Sequence, residues 1–403
     1  MRLGALALLG AALAGAAAEK DEHREQIKRY EALLNTSPDQ GEVLYRLARE
    51  RALAGDTPGA LDALDKAIAT GLDFDIDAES AFRPLHNEAK FMALLDRALD
   101  QRLVVRRSTE AFHVAEKDLI PEGLAHDPAT GAFFLGSLHK RKVVRVGADG
   151  QARDFTTSGQ DGLWQVLGMK VDARRQLWVV TSAGEEAGNL QGTSAVLVYD
   201  LATGTLARRY GMHNVTAGHF FNDLALAADG RAFVTDSRSG GVWRIDPGRD
   251  GFTPLVKSFT FDYPNGIALS TDERRLYVAD NVKGISIVDP SSGDVRPLPH
   301  PDNVSLYGID GLYAYGPDLI GVQNGAGTER VVRYRLDPGG TRVVGLEVLE
   351  SRNPVFEIPT TGVVVGTDFY YIANSRLDQL TPEGHIKSLA RLEPVVVLKV
   401  SLR

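Results

Sequence analysis

The sequence predicts a mainly β protein, a six-bladed β-propeller with a small N-terminal α-helical domain. Two observations lead to this prediction. From about residue 104 onward one strand–turn–strand pattern recurs six times, and equivalent positions lie 43 to 55 residues apart. Before that point, apolar residues recur at the three- and four-residue spacing of amphipathic helices. Repeats of roughly 40 to 50 residues that each hold several short strands are typical of propeller blades.

The fourth copy shows the repeated pattern most clearly. Residues 263–269 are predicted to form a short strand, 270–272 a polar turn and 276–281 a second strand. Aligning the six copies places one residue of each copy just before the innermost strand of its blade. We call these the ring residues, and they are Glu122, Leu167, Asn222, Asn265, Asp310 and Thr361. A further strand at about 112–115 is expected to complete the last blade and close the ring.

The predicted boundaries are 1–18 for a signal peptide, 19–105 for the helical domain and 106–403 for the propeller. Residues 1–18 combine a positive start, an apolar run and small residues before Glu19, as export signals do. The alternative for this stretch is a buried N-terminal helix. The apolar run is too short to span a bilayer securely, so no membrane span is expected. We therefore expect an exported protein, either periplasmic or secreted.

The helical domain contains one copy of a tetratricopeptide-like pattern. The residues at that spacing are Leu44, Leu47, Ala48, Gly55, Ala60, Leu64 and Ala67. Thr57 is expected to cap the helix that follows Gly55, and Asn87 to cap a later helix that carries Phe91. Repeat arrays need about three stacked units to be stable alone, so one copy predicts a small cap. The functional alternative is a peptide-binding groove that would give the protein a partner.

Composition excludes several classes of function. The 403 residues carry a formal net charge of -8 with both signs interspersed, so a nucleic-acid partner is not expected. The chain has no cysteine, which excludes disulfides, thiolate zinc sites and cysteine nucleophiles.

The ring residues predict a cation site at the centre of the propeller. Equivalent positions of the blades surround one axis, so these side chains should converge. Glu122 and Asp310 would supply two negative charges, and Asn222 and Asn265 neutral oxygens. Oxygen donors of this kind suit a hard divalent cation, and calcium, with its flexible coordination, is the one we expect. The alternative is that Asn-Gly and Asp-Gly are only turn residues.

The propeller resembles the family of six-bladed propellers that includes senescence marker protein, gluconolactonase and luciferin-regenerating enzyme. The residues that carry the resemblance are Glu122-Gly123, Asn222-Asp223 with Asp229-Gly230-Arg231, Pro264-Asn265-Gly266 with Asp272 and Leu276-Tyr277-Val278-Ala279-Asp280, and Asp310-Gly311. The resemblance covers roughly residues 115 to 390. Calcium-dependent arylesterase and strictosidine-synthase-like propellers share parts of the same pattern.

The resemblance implies a function and a site. It implies that Glu122, Asn265 and Asp310 bind a divalent metal, and that Asn222 lies beside the metal and contacts substrate. It also implies that Asp310 acts as a general base. The expected reaction is hydrolysis of a small-molecule lactone or other ester, in which a cation polarises the acyl oxygen and a carboxylate activates water.

The sequence departs from this family near the expected substrate site. Phe220 stands where sugar lactonases often have arginine, and His219 and His213 lie close by. A phenylalanine there suits a less polar substrate than an aldonolactone. A histidine near the channel could act as an acid or base, or could be an ordinary loop residue. Two other functions stay open: a non-catalytic binding or scaffold protein, and a strictosidine-synthase-like enzyme.

Overall fold

The computed structural model describes residues 23–35, 41–212, 218–301, 303–325 and 328–403. The predicted signal peptide and His213 lie outside these residues. The chain divides into two compact units. One comprises residues up to Leu103 together with Pro301–Ser305, and the other comprises Val104–His300 and Leu306–Arg403. Within the described ranges, no helix has the length and apolar character needed to cross a membrane.

The first unit is helical. Its helices are α1 (residues 23–34), α2 (Gly41–Ala54), α3 (Thr57–Ala69) and α4 (Ala89–Asp100), with a 3₁₀ helix at Ser80–Leu85. Helices α2 and α3 pack against each other. The apolar residues predicted from the spacing are buried there, namely Leu44, Leu47, Ala48, Ala60, Leu64 and Ala67. Two stacked rings, Tyr45 and Phe74, extend this core. The tetratricopeptide interpretation stays a prediction.

Both helix caps predicted from the sequence are wrong by one residue. Helix α3 begins at Thr57, and its cap is Asp56, whose carboxylate accepts the Gly59 N–H at 3.0 Å. A carboxylate at this position also interacts favourably with the positive end of the helix dipole. Helix α4 follows Glu88 and not Asn87, and it has no side-chain capping hydrogen bond.

The second unit consists of six four-stranded antiparallel sheets, which confirms the predicted six-bladed propeller. The first blade holds β2 (Pro121–Asp127), β3 (Ala132–Ser137), β4 (Lys142–Val146) and β5 (Ala152–Asp154). The second holds β6 (Gln165–Val171), β7 (Gln176–Ser182), β8 (Ser194–Asp200) and β9 (Thr205–Met212). The third holds β10 (Phe221–Leu226), β11 (Ala232–Asp236), β12 (Gly241–Ile245) and β13 (Thr253–Val256).

The remaining three blades follow the same order. The fourth holds β14 (Pro264–Leu269), β15 (Leu276–Asp280), β16 (Gly284–Val288) and β17 (Val295–Pro297). The fifth holds β18 (Ile309–Tyr315), β19 (Asp318–Gln323), β20 (Arg330–Leu336) and β21 (Val343–Ser351). The sixth holds β22 (Gly362–Val365), β23 (Asp368–Ile372), β24 (Val395–Ser401) and, as its outer strand, β1 (Thr109–Val114).

Strand β1 closes the ring, as the sequence predicted. It pairs antiparallel with β24, from Thr109 opposite Lys399 to Val114 opposite Val395. At the centre of the ring, the Thr361 hydroxyl donates a hydrogen bond to the Glu122 carbonyl and joins the sixth blade to the first. The first strand of the unit in sequence therefore belongs to the last blade.

Apolar layers between the blades form the core. One layer joins Phe134, Val179 and Tyr199, and another joins Phe233, Ile267 and Val278. These side chains come from alternate positions of the strands, as expected for sheets packed face to face. The packing fixes the innermost strands, which carry the ring residues.

Candidate functional site

Five of the six ring residues lie in β-bulges, not just before the innermost strands as predicted. In the fourth blade Pro264 pairs with Asp280 and Ile267 with Val278, so three steps along β14 oppose two along β15. The same irregularity occurs at the start of β2, β6, β10 and β18. Only Thr361 precedes its strand. A bulge bends the strand and redirects the extra side chain, so the ring residues do not follow the apolar–polar alternation of their strands.

In the first, second, fourth and fifth blades, the glycine after the ring residue lies against the next blade. A Cβ added at Gly266 would lie 2.5 Å from the Asp310 carbonyl oxygen and 2.6 Å from the Leu312 nitrogen. A Cβ at Gly123 would collide in the same way with the Leu167 carbonyl. Glycine is therefore required there by the close approach of neighbouring bulges. The Asn-Gly and Asp-Gly pairs thus have a packing role in addition to any role of the ring residues.

Asp310 is held by two side-chain amides. Asn265 Nδ2 donates to Asp310 Oδ1 at 2.7 Å, and Asn324 Nδ2 donates to Oδ2 at 2.6 Å. The carboxyl is buried, with 6% of the residue exposed. Burial raises the pKa of Asp310 to about 6; the amides of Asn324 and Asn265 lower it, and the charge of Asp223 raises it. Asp310 therefore gains or loses a proton near neutral pH.

Glu122 is a second buried carboxyl at the centre of the ring, with 4% of the residue exposed. Burial raises its pKa well above the usual range, and the charge of Asp310 adds to this effect; the Thr360 hydroxyl nearby lowers the pKa, and the charge of Asp223 raises it. Its Oε2 has no hydrogen-bond partner among the described residues. A buried, unpartnered carboxylate oxygen is costly, so this atom needs a proton or a cation.

The hydroxyl of Ser237 connects Asn222 to the fourth blade by two hydrogen bonds. Asn222 Nδ2 donates to Ser237 Oγ at 3.1 Å, and that hydroxyl donates to the Pro264 carbonyl at 2.7 Å. Asn222 and Ser237 are 5% and 3% exposed. The ring residues Asn222 and Asn265 are thus linked through the residue that precedes Asn265.

Asp223 occupies the position that glycine takes in the neighbouring bulges. Lys170 Nζ lies 3.5 Å from Asp223 Oδ1 and 4.9 Å from the centre of the Tyr313 ring. The Tyr313 hydroxyl accepts the Gly362 N–H at 2.7 Å. Lys170 is the cation that faces this acidic group from the second blade.

His219 and Phe220 belong to a separate hydrogen-bond group. His219 Nδ1 donates to Asp236 Oδ2 at 2.6 Å, and the Phe220 N–H donates to Oδ1 at 2.9 Å. His219 is 4% exposed and its ring lies edge-on to Trp243. Phe220 is partly buried and packs on the apolar cluster that includes Leu167 and Phe221. No direct contact of either side chain with Asp310 or Glu122 is recorded among the described residues.

The predicted metal ligands are only partly assembled. Asn265 and Asp310 touch, and Glu122 interacts electrostatically with Asp310. Among the described residues no group of three histidine, aspartate or glutamate side chains is arranged to hold a metal ion. Asn265 presents Nδ2, a donor, to Asp310. Rotation of this amide would present Oδ1 in its place.

Part of the propeller sequence is similar to a known protein family. Residues 120–295 match the family described as the SMP-30/gluconolactonase/LRE-like region. The matched residues include the ring residues Glu122, Leu167, Asn222 and Asn265, and they end before Asp310.

Solved structures share the fold of the propeller. A gluconolactonase from Xanthomonas campestris is 17% identical with a TM-score of 0.51, and the match covers 75% of this chain and 99% of that one. The calcium-binding protein regucalcin from Agrobacterium tumefaciens is also 17% identical, with a TM-score of 0.51 and coverages of 73% and 96%. A luciferin-regenerating enzyme is 14% identical, with a TM-score of 0.51 and coverages of 73% and 94%. At such identities the similarity shows the fold.

One curated relative is more similar in sequence over a shorter stretch. Protein YncE of Salmonella typhimurium, itself uncharacterised, is 26% identical over 221 residues. The match covers 44% of this chain and 58% of that protein's length.

Sequence reasoning missed several residues that lie around the ring residues, among them Asn324, Ser237 and Tyr263. Burial raises the pKa of Tyr263, and the charges of Asp310 and Glu122 add to this, although 42% of the residue is exposed. A signal for Asn324 and Ser237 was present in the sequence. Each follows the second strand of its blade, where several copies of the repeat carry a polar residue.

Proposed function

We propose that this protein hydrolyses a lactone or related ester with the help of a divalent cation, calcium being the one we expect. The observation that carries the proposal is the pair of buried carboxyls at the centre of the ring. Glu122 and Asp310 repel each other there, and Glu122 Oε2 has no partner among the described residues. Carboxyls whose pKa values are strongly raised by burial and by a like charge cluster at functional sites.

The residues present fit a hard divalent cation in charge and in donor type. Glu122 and Asp310 would supply two negative charges, and the amide oxygens of Asn222 and Asn265 two neutral donors. Calcium prefers oxygen ligands of this kind, and thiolate and imidazole ligands are not needed. A cation at this place would satisfy Glu122 Oε2 and remove the repulsion between the two carboxylates.

In the proposed reaction Asp310 acts as the general base. Its carboxylate accepts a proton from the attacking water as the water oxygen forms a bond to the acyl carbon. The bond between the acyl carbon and the alcohol oxygen then breaks, and the alcohol oxygen takes up the proton held by Asp310. Asn265 and Asn324 hold the carboxylate in place and favour its ionised form. A bound cation would supply stabilisation of the negative charge that develops on the acyl oxygen.

The surroundings of the ring favour a substrate less polar than a sugar lactone. Phe220 packs on an apolar cluster with Leu167, the one aliphatic ring residue. In support of an ester or lactone, the matched family and the fold of the Xanthomonas gluconolactonase point to this reaction class, and regucalcin is a calcium-binding protein of the same fold. A shared fold alone does not determine the chemistry.

The test is a panel of lactones and aryl esters assayed with calcium chloride and with EDTA. We expect activity with calcium only, and a loss of roughly 100-fold or more in kcat for Asp310→Asn. Asp289→Asn is the matched control, because it makes the same change in an exposed turn of the fourth blade. Calcium should also raise the melting temperature of the wild type. If no substrate is cleaved and neither calcium nor EDTA moves that temperature, the proposal fails.

A non-catalytic binding protein is the second candidate, and one observation favours it. Both oxygens of Asp310 accept hydrogen bonds from amides in this structure, so each oxygen already has a donor other than a substrate water. A calcium-stabilised protein that cleaves nothing on the broad panel would support this candidate, with the helical unit as a site for a protein partner.

We also propose that residues 1–18 direct export to the periplasm or the medium. The charge and apolar pattern of that stretch supports the proposal. Sequencing the N-terminus of the protein recovered from fractionated cells tests it, and a mature start near Glu19 is expected. An intact Met1 in the cytoplasmic fraction would contradict it.

A further inference from the structure

Two buried oxygen atoms at the ring have no hydrogen-bond partner among the described residues. One is Glu122 Oε2, and the other is the hydroxyl oxygen of Thr360, the residue before the ring residue Thr361. Thr360 is 0% exposed and Glu122 is 4% exposed. A hydroxyl can donate one hydrogen bond and accept two, so burying it without any partner costs free energy. A shared partner for the two atoms would remove this cost.

The segment that carries Thr360 is tied to the fifth blade. Pro359, the preceding residue, accepts a hydrogen bond from Asn324 Nδ2 at 2.9 Å, and the same nitrogen donates to Asp310 Oδ2 at 2.6 Å. The Thr360 carbonyl also lies close to the bulge of β18, because a Cβ added at Gly311 would be 3.0 Å from its oxygen. The backbone of Thr360 is therefore fixed beside the bulge that holds Asp310.

The same segment is tied to the first blade through Thr361. The Thr361 hydroxyl donates to the Glu122 carbonyl, so the ring residue of the sixth blade has already used its one hydroxyl proton. The Thr360 hydroxyl is the one that lies near the Glu122 carboxyl, whose pKa it lowers. The sixth blade thus presents an oxygen to this carboxyl from the residue before its ring residue.

The charges at the ring leave a place for a divalent cation. Lys170 Nζ lies 3.5 Å from Asp223 Oδ1 and offsets the charge of that carboxylate. For Glu122 and Asp310, no ion pair is recorded among the described residues. Calcium takes about six to eight oxygen ligands, more than the four ring residues of the proposed site would supply with one oxygen each. Another neutral oxygen donor therefore fits the site without changing its charge.

We propose that the Thr360 hydroxyl oxygen is a further ligand of the divalent cation, together with Glu122 Oε2. The cation would be the shared partner of these two atoms. The inference rests on the proposed function, because the cation comes from there. The resemblance implied ligands from the first, fourth and fifth blades, and Thr360 adds one from the sixth.

Thr360→Val separates ligation from a simple hydrogen bond to Glu122, because valine has nearly the same shape and no hydroxyl. In EDTA the variant should melt at the wild-type temperature or above it, since a buried polar group without a partner has been removed. Calorimetric titration with calcium chloride should show binding weakened about tenfold. Thr360→Ser keeps the hydroxyl and should retain the wild-type affinity.

Thr156→Val is the matched control. Thr156 is 1% exposed, and its hydroxyl accepts the Val143 N–H at 2.9 Å just after β5, the outer strand of the first blade. This hydroxyl has a partner within the fold, so its removal should lower the melting temperature in EDTA and in calcium alike. The calcium affinity of Thr156→Val should equal that of the wild type.

Terbium luminescence tests for direct ligation, because its lifetimes in H2O and D2O count the waters on the bound ion. Thr360→Ala leaves room for a water in place of the hydroxyl. After titration with terbium chloride, this variant should hold about one more bound water than the wild type. Weaker binding without the additional water would mean that Thr360 only positions Glu122, and the ligand assignment would be overturned. If Thr360→Val does not fold, this comparison decides.

The remaining outcomes distinguish this inference from the proposed function. Equal calcium affinity in wild type and Thr360→Val overturns the inference alone. A lower melting temperature of Thr360→Val in EDTA also overturns it alone, because the hydroxyl then has a partner in the fold without the ion. A wild type that binds neither calcium nor terbium overturns the inference and the proposed function together.

Discussion

Asn265 of the fourth blade donates its side-chain amide to the carboxylate of Asp310 in the fifth, with 2.7 Å between Nδ2 and Oδ1. The bond crosses the boundary between two blades, and each residue lies in the bulge of its own innermost strand. Asn324 donates to the other oxygen from within the fifth blade. The position and the pKa of Asp310 are therefore set jointly by two repeats.

Replacing Asn324 with leucine should move the acid limb of the pH–rate profile to higher pH. The Asn324 amide lowers the pKa of Asp310, which is about 6 with both amides present. Without this donor the pKa rises, so a general base at Asp310 is ionised only at higher pH. The profile of kcat against pH measures the shift. An acid limb that stays in place would show that Asp310 is not the base or that Asn324 does not influence it.

Glu122→Gln should stabilise the protein in EDTA and abolish its stabilisation by calcium. The pKa of Glu122 is raised by burial and by Asp310, so its ionised form destabilises the fold. A group with a raised folded-state pKa stabilises below its unfolded pKa, and this contribution is lost as the pH rises. The advantage of the variant should therefore grow as the pH rises from about 4.5 toward neutral.

Melting curves of wild type and Glu122→Gln at several pH values, each with EDTA or calcium, measure both effects. Asp289→Asn is again the control for a lost surface carboxylate. A variant less stable than wild type at neutral pH in EDTA would contradict the electrostatic argument.

Asp236→Asn should destabilise the propeller by about 3 kcal/mol. Asp236 is fully buried and accepts hydrogen bonds from His219 Nδ1, Ser239 Oγ and the Phe220 N–H. Burial opposes its ionisation, but these donors outweigh burial and hold its pKa below the usual range. An asparagine amide would direct N–H groups at donors. Urea unfolding at neutral pH measures the loss.

The effect of Asp236→Asn should depend on pH in a direction opposite to that of Glu122→Gln. A lowered folded-state pKa contributes stability above the unfolded pKa, about 4, and this contribution is lost as the pH falls through the folded pKa. The difference between wild type and variant should therefore shrink in acid. A difference that is constant down to pH 3 would show that the hydrogen bonds do not require the ionised carboxylate.

Gly266→Ala should displace the bulge that holds Asn265. Its Cβ would lie 2.5 Å from the Asp310 carbonyl oxygen, so the fourth and fifth blades must separate. We expect a loss of about 1 to 3 kcal/mol in stability, together with reduced calcium binding. Gly345→Ala is the control, because its Cβ would meet nothing closer than 3.9 Å. Equal behaviour of the two variants would contradict the packing role of Gly266.

The number of blades and the register of the ring could be predicted from the sequence for a physical reason. Each bulge needs a glycine, or in the third blade Asp223, where two backbones meet. That requirement leaves a glycine directly after the ring residue in four of the five bulges, at a regular spacing along the sequence. The bulge itself could not be predicted, because a ring residue followed by glycine resembles a turn before a strand. The contact of Asn324 with Asp310 was missed because only the register of β18 and β19 brings their ends together.

Less could be predicted where the chain is aperiodic. The long connection between β23 and β24, residues 373–394, belongs to no repeat, and no spacing in the sequence indicates its path. The predicted cap of α3 differs from the observed one for another reason. Asp56 and Thr57 are adjacent residues that both favour the cap position, and the sequence alone does not decide between them.

The pairing of β1 with β24 has a consequence for synthesis on the ribosome. The two strands are separated by about 280 residues, so at roughly 5 to 20 residues per second β1 waits on the order of tens of seconds for its partner. During that time its edge is open to other chains. Ring closure must follow the release of the last strand. A chain terminated before Val395 would therefore present two unpaired edges, on β1 and β23, and should aggregate instead of forming a slightly shorter propeller.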